Sequence, residues 1–147
     1  MPEQISATIE IAATPEHVWA VLADLASYPR WHPVFRQVTG QLAAGSKIIL
    51  TTTHPTTDRA MTATVKVLAA EPATELRWTS TVLGVMRSER SFVLTPIDGG
   101  TLLRQTATYR GLFARFPAKT ITRIQDTFAA INQAIKEQAE ARQQAPG

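Results

Sequence analysis

Hydrophobic residues follow two different periodicities along the chain. They alternate with polar residues through its middle, and they recur every three or four positions near its end. Apolar and polar residues alternate through 60–71, 74–82 and 86–96, which is typical of strands with one buried face. Turn residues separate these segments, and no helical pattern interrupts them. The sequence therefore predicts an antiparallel meander rather than alternating strand–helix units. The predicted strands are 4–11, 34–42, 46–53, 60–71, 74–82, 86–96 and 101–110.

A long helix is predicted after the last strand, opened by Pro117 and running to about Ala141. Its apolar residues recur every three or four positions, at Ile121, Ile124, Phe128, Ile131 and Ile135. This spacing also suits a coiled coil, but it covers only about two heptads and lacks regular flanking charges. We expect the helix to lie on the concave face of the sheet, with a space between them as the candidate functional site.

Two short helices are predicted after the first strand. Thr14 is a suitable N-cap, Pro15 suits the first helical position, and Glu16 places an acid in the first turn. The apolar stripe that follows stops at Tyr28-Pro29, because the residue before a proline is disfavoured in a helix. Residues 30–33 leave room for at most one further helical turn.

Composition narrows the class of protein. The 147 residues predict one domain with a frayed tail at 142–147, and 44% of them are hydrophobic without a run approaching a membrane span. The start of the chain has no signal-peptide pattern, and there is no cysteine, so we expect a cytoplasmic protein without disulfides. The formal net charge is +3.

The basic residues do not predict a nucleic-acid partner. They are spaced singly rather than interleaved with aromatic residues. An anionic partner near the edge that they form stays open. They are Arg104, Arg110, Arg115, Lys119 and Arg123.

Several short motifs, taken in order, resemble the START-like superfamily. The opening matches at Ile9-x-Ile11, at 14–19 and at 24–33, where Tyr28, Trp31 and Pro33 recur at the family's spacing. Leu76-x-Trp78 resembles the family's mid-sheet strand, and 92–101 resembles its last hairpin. The resemblance covers nearly the whole chain and is closest to the polyketide cyclase/dehydrase and lipid transport group.

The resemblance implies an α+β helix-grip fold, a curved seven-stranded antiparallel sheet around a long C-terminal helix. It also implies a small hydrophobic, aromatic or lipid-like ligand in an apolar pocket between sheet and helix. Two alternatives stay open: a polyketide cyclase or dehydratase type of enzyme, and a protein-interaction module of the chaperone-activator type. No cofactor, nucleic acid or stable membrane insertion is expected, and a homodimer is left open.

Strand alternation selects the side chains that face the predicted space. If Phe92 faces the helix, so does Arg90, whose charge would need an acid or an anionic ligand. Gln105 and Tyr109 would offer neutral hydrogen-bonding groups, and large rings could line the cavity. The predicted ligand-binding residues are Trp31, Phe35, Met61, Trp78, Arg90, Phe92, Gln105, Tyr109, Ile124 and Phe128.

Catalytic groups are sparse in the sequence. No two of His17, His32 and His54 have metal-ligand spacing. His32, near the predicted pocket mouth, is a candidate general base. Related cyclase-like sequences often carry a histidine near position 90 and an acid near 107, where this chain has Arg90 and Ala107. The departures argue against acid–base chemistry by those groups.

Overall fold

The computed structural model describes residues 3–53, 59–82, 85–111 and 115–144. The strands are β1 (Glu3–Ile11), β2 (Phe35–Gly40), β3 (Lys47–Thr53), β4 (Ala60–Glu71), β5 (Glu75–Val82), β6 (Met86–Ile97) and β7 (Gly100–Gly111). The helices are α1 (Pro15–Ala23), a short 3₁₀ helix (Leu25–Ser27), α2 (Tyr28–Trp31) and α3 (Ala118–Gln144). His54, a histidine singled out in the sequence, lies outside the described residues.

All seven strands form one antiparallel sheet in the order β1-β7-β6-β5-β4-β3-β2. Register shifts interrupt β2 near Phe35 and β4 near Val67, and such bulges bend a strand and strengthen its twist. The long C-terminal helix α3 lies against β1, α1 and β7. The predicted helix-grip fold is thereby confirmed.

The apolar stripe of α3 faces the sheet. Phe128, Ile131, Ile135 and Ala139 are buried, and Asn132 is buried among them. Most of these side chains join one large core, whereas Phe128 forms a smaller cluster with Ile5 and Ala107. The helix continues to Gln144, three residues into the predicted tail, and 145–147 lie outside the described residues.

The first helical segment is shorter than its apolar stripe suggests. Thr14 caps α1 as predicted, accepting from the His17 backbone N–H at 3.3 Å. However, α1 ends at Ala23, and Tyr28-Pro29 begins α2 instead of ending a helix. The prediction was wrong because a proline in the first turn lacks only an N–H that would have no intrahelical acceptor there.

Polar contacts attach the end of α3 to the start of α1. The Glu140 carboxylate accepts from the Ala12 backbone N–H at 2.8 Å and from Lys136 at 2.6 Å. The Gln143 side-chain oxygen accepts from the Thr14 backbone N–H at 3.1 Å. These bonds hold the C-terminal half of α3 in place, while its N-terminal half lies at the opposite end of the sheet.

Candidate functional site

Arg90 lies in the middle of the sheet, between Trp78 of β5 and Ala107 of β7 in the register. Its side chain points toward α3, with the guanidinium carbon 4.6 Å from the centre of the Phe128 ring. The same carbon lies 5.5 Å from the ring of Phe92 and 5.9 Å from that of Phe35. Three rings therefore surround one cation at distances where cation–π attraction is favourable.

A chain of hydrogen bonds continues from Arg90 into the core. Two Arg90 N–H groups donate to the side-chain oxygen of Gln105, from Nε at 3.2 Å and from Nη2. Gln105 Nε2 donates to Asn132 Oδ1 at 2.9 Å, and Asn132 Nδ2 donates to the Ala7 carbonyl at 3.2 Å. Gln105 and Asn132 are almost fully buried, so their partners are supplied by the protein, as burial requires.

The charge on Arg90 has no carboxylate partner within the described residues. Burial lowers the pKa of Arg90 to about 10, while Tyr109 and Tyr28 oppose that shift. The guanidinium stays protonated at neutral pH. A partly buried cation that is stabilised by rings and one amide is suited to bind an anionic group.

His32 is held as a neutral hydrogen-bond donor. Its Nδ1 accepts from the backbone N–H groups of Val34 at 3.1 Å and Phe35 at 3.0 Å. Burial, assisted by the charge of Arg90, lowers the pKa of His32 to about 3. Because Nδ1 is the acceptor, Nε2 carries the proton. The ring therefore donates at neutral pH, and the candidate role as a general base does not fit this geometry.

Aromatic side chains pack against the ring of His32. Its ring stacks on Phe35 at 4.3 Å and on Tyr28 at 5.3 Å between centroids. Tyr28 donates from its hydroxyl to the Leu22 carbonyl at 2.6 Å, and burial raises the Tyr28 pKa. Trp31 packs against Tyr28 at 5.0 Å and donates from Nε1 to the Ser27 hydroxyl at 2.9 Å. These side chains form a rigid wall.

A cleft of about 690 Å³ opens on this wall, between the segment that follows α2 and the N-terminal half of α3. Its lining includes no carboxylate and two arginines, Arg36 and Arg123. The complete lining is Pro29, His32, Pro33, Val34, Phe35, Arg36, Arg123 and Thr127. Phe35 also neighbours the Arg90 guanidinium, so one ring is shared by the cleft and the cation.

The structure brings half of the predicted ligand-binding residues together. Phe35, Arg90, Phe92, Gln105 and Phe128 are joined by the contacts described above. Trp78 adjoins them through Phe92, with ring centres 5.6 Å apart. The remaining four lie further out.

Ile124 and Tyr109 pack against the small cluster around Phe128. The ring centres of Tyr109 and Phe116 are 4.9 Å apart there. Trp31 belongs to the wall behind the cleft and is absent from the cleft lining. Met61 is 48% exposed and does not join the cluster.

Three side chains of the candidate site were not predicted from the sequence, namely Tyr28, Arg36 and Asn132, and Arg123 was predicted only as part of a basic edge open to an anionic partner. Asn132 had a readable signal, because it is an amide four residues after Phe128 within the apolar stripe of α3. No signal in the sequence placed Arg36 beside Arg123, since their proximity depends on how α3 crosses the sheet. His17 lies elsewhere, with its Nδ1 2.6 Å from the Gln143 side chain.

The chain belongs to the polyketide cyclase/dehydrase and lipid transport family, whose model matches residues 2–140. No curated protein matches the sequence significantly. Solved structures share the fold at low identity. The Zhui aromatase/cyclase from Streptomyces sp. R1128 is 18% identical with a TM-score of 0.75, and the match covers 100% of this chain and 99% of that one.

Two further structures are similar. A START superfamily protein from Mycobacterium smegmatis is 17% identical with a TM-score of 0.75, over 95% of this chain and 98% of that one. The di-domain ARO/CYC StfQ from the steffimycin biosynthetic pathway is 14% identical with a TM-score of 0.78 over 97% of this chain. The chain spans about half of that protein, 52% of its length.

Two features are absent from the described part of the chain, a metal-binding cluster and a membrane-spanning helix. No group of three or more His, Asp or Glu side chains there is arranged to hold a metal ion. None of the helices described here combines the length and the apolar character needed to cross a membrane.

Proposed function

We propose that this protein binds a small, flat, hydrophobic molecule that carries an acidic oxygen, with its anionic group at Arg90. The observation that carries the proposal is a partly buried guanidinium ringed by Phe35, Phe92 and Phe128 and without a carboxylate partner among the described residues. The rings offer apolar faces to the body of the ligand, and the cation offers a charge-assisted hydrogen bond.

The cleft beside His32 is the proposed entrance. Phe35 belongs both to the lining of the cleft and to the rings around Arg90. The Nε2–H of His32 would supply a second donor to the ligand oxygen, because Nδ1 is already occupied. The proposed site therefore contains donors of two kinds and selects acceptors, such as a carboxylate, a phenolate or a carbonyl.

Binding is preferred over catalysis because the described lining of the cleft contains no group placed to act as a base. A cyclase or dehydratase would need a group that removes a proton. Within the described residues, the cleft lining holds no carboxylate, and His32 is protonated at the nitrogen left unbonded. Arg90 and His32 together would still stabilise an enolate, so the enzymatic alternative depends on a substrate that is deprotonated elsewhere.

A matched pair of ligands tests the proposal. Naphthoic acid and naphthamide share a flat apolar body and differ in charge. We expect the acid to bind in a 1:1 ratio and Arg90→Met to weaken it by roughly tenfold to a hundredfold, since a hydrogen bond to a charged group contributes about 1.5–3 kcal/mol. The amide should change little.

Arg104→Met is the matched control, because Arg104 is exposed and precedes the buried Gln105 on β7, so strand alternation places it on the opposite face of the sheet. Thr127→Trp should block the cleft itself, since Thr127 lines it. Equal losses for acid and amide in Arg90→Met, or unchanged binding in Thr127→Trp, would contradict the proposed site.

A further inference from the structure

The rim of the cleft carries an unusual concentration of positive charge. The two segments that form it, 25–40 and 115–128, contain five cations and the single acid Asp126. Each of these cations is exposed, and none forms an ion pair with a described carboxylate. We call them the cationic rim: Arg30, Arg36, Arg115, Lys119 and Arg123.

Two of the five cations line the cleft, and the other three belong to the same two segments. Arg36 and Arg123 line the cleft, and Arg30 adjoins Pro29, which also lines it. Lys119 precedes Arg123 by four residues and therefore lies on the same side of α3. Apolar residues interrupt the charges, with Pro29, Pro33 and Pro117 exposed and Val34 partly exposed.

The other described acids belong to other segments of the chain. Glu140 and Glu137 lie in the C-terminal half of α3, and Asp98 occupies the turn between β6 and β7. Asp24 is already close to Arg142, at 3.6 Å. The two segments at the cleft therefore carry a local excess of positive charge.

From this arrangement we infer that the cationic rim docks the protein onto the surface of an anionic phospholipid bilayer. Exposed cations that pair with no described carboxylate complement acidic headgroups. The five aromatic side chains of the two segments are buried or partly buried, which leaves none free to stack on nucleic-acid bases. An acidic protein partner would call for aromatic anchors at the centre of the interface.

Docking is independent of the proposed ligand, because it requires the exposed rim and not Arg90. It is tested by co-sedimentation of the ligand-free protein with phosphatidylcholine vesicles, with or without roughly one-third phosphatidylglycerol. We expect binding only to the anionic vesicles and a steep loss between about 0.05 M and 0.5 M salt, since added salt shortens the screening length.

Matched charge variants locate the surface. Arg36→Gln with Arg123→Gln should weaken vesicle binding by about 25-fold, taking roughly fivefold for each cation. Lys47→Gln with Lys66→Gln removes the same charge from an exposed cross-strand pair elsewhere on the sheet and should change binding less than about twofold. Circular dichroism verifies that both variants are folded.

Three results would overturn the inference: equal binding to neutral and anionic vesicles, equal losses in the two double variants, or no vesicle binding by the wild-type protein. The last result would overturn the inference even if the rim bound an acidic protein or a nucleic acid instead. A failure of naphthoic acid to bind at Arg90 would leave this inference unaffected, because the vesicle experiment contains no such ligand.

Discussion

Arg90 and Gln105 satisfy each other's hydrogen-bonding groups in the interior, where water cannot. The amide oxygen of Gln105 accepts two Arg90 N–H groups, and Gln105 is fully buried. Strand alternation alone was sufficient to predict that both face α3. The hydrogen bonds between them could not be predicted from the sequence. The direction of the Gln105 amide is set by Asn132, which lies 27 residues away on another element.

We expect Arg90→Met to lower the free energy of unfolding by about 1–3 kcal/mol, because it leaves the buried Gln105 oxygen without a donor. A buried cation considered alone would suggest the opposite, a neutral or stabilising replacement. Urea denaturation measures the difference. The triple variant Arg90→Met, Gln105→Leu and Asn132→Leu removes all three polar groups and should recover part of the loss. Wild-type stability in Arg90→Met would refute this coupling.

His32 makes stability depend on pH. Its folded pKa, about 3, lies below the ordinary value of 6.5, so the unfolded chain binds a proton more readily. This contribution to stability is therefore complete above pH 6.5 and is lost as the pH falls toward 3. In His32→Asn the side-chain oxygen can still accept the two backbone N–H groups, and the pH dependence of unfolding should flatten over this window. An unchanged profile would exclude His32 as its source.

At the scale of elements, the two halves of α3 contact different parts of the protein. Its C-terminal half is fixed to the start of α1 through Glu140 and Gln143, whereas its N-terminal half borders the cleft. The apolar stripe was sufficient to predict the helix and its buried face. The helix ends were harder to predict, because Tyr28-Pro29 is compatible with both the end of one helix and the start of another.

We expect Glu140→Ala with Gln143→Ala to free the last turns of α3 without unfolding the core. Amide hydrogen exchange should accelerate at Ala12 and Thr14, whose N–H groups lose their acceptors. Glu137→Ala is the control, since Glu137 is exposed and contacts only Gln133 among the described side chains. Equal exchange in the variant and the wild type would argue that the two contacts do not hold the helix.

Gly100 is the point at which β7 approaches the end of β1 most closely. A Cβ at this position would collide with the Ile11 carbonyl oxygen. We expect Gly100→Ala to destabilise the protein by about 1–3 kcal/mol, because backbone must move to admit the methyl group. Thermal unfolding measures the loss. Gly45→Ala, at an open position with positive φ, should show only the smaller effect of backbone strain.

At the scale of the whole molecule, one large core and one smaller cluster connect the sheet to both ends of α3. A ligand bound at Arg90 would contact β6, β2 and α3 together, through Phe92, Phe35 and Phe128. We expect naphthoic acid at about 100 times its dissociation constant to stabilise the fold by about 2.7 kcal/mol, which raises Tm by roughly 5–10 °C. Naphthamide should raise it less, and equal shifts would count against an anionic anchor.

The hydrogen-bonded chain from Arg90 to the Ala7 carbonyl has a direction. Each link donates away from the cleft, from guanidinium to Gln105, from Gln105 to Asn132, and from Asn132 to β1. Reversing it would require two buried amides to rotate together and a backbone carbonyl to become a donor, which it cannot. In the proposed site this direction would exclude amines and other cations, because they would meet only a positive charge at the outer end of the chain, however well their apolar bodies fit.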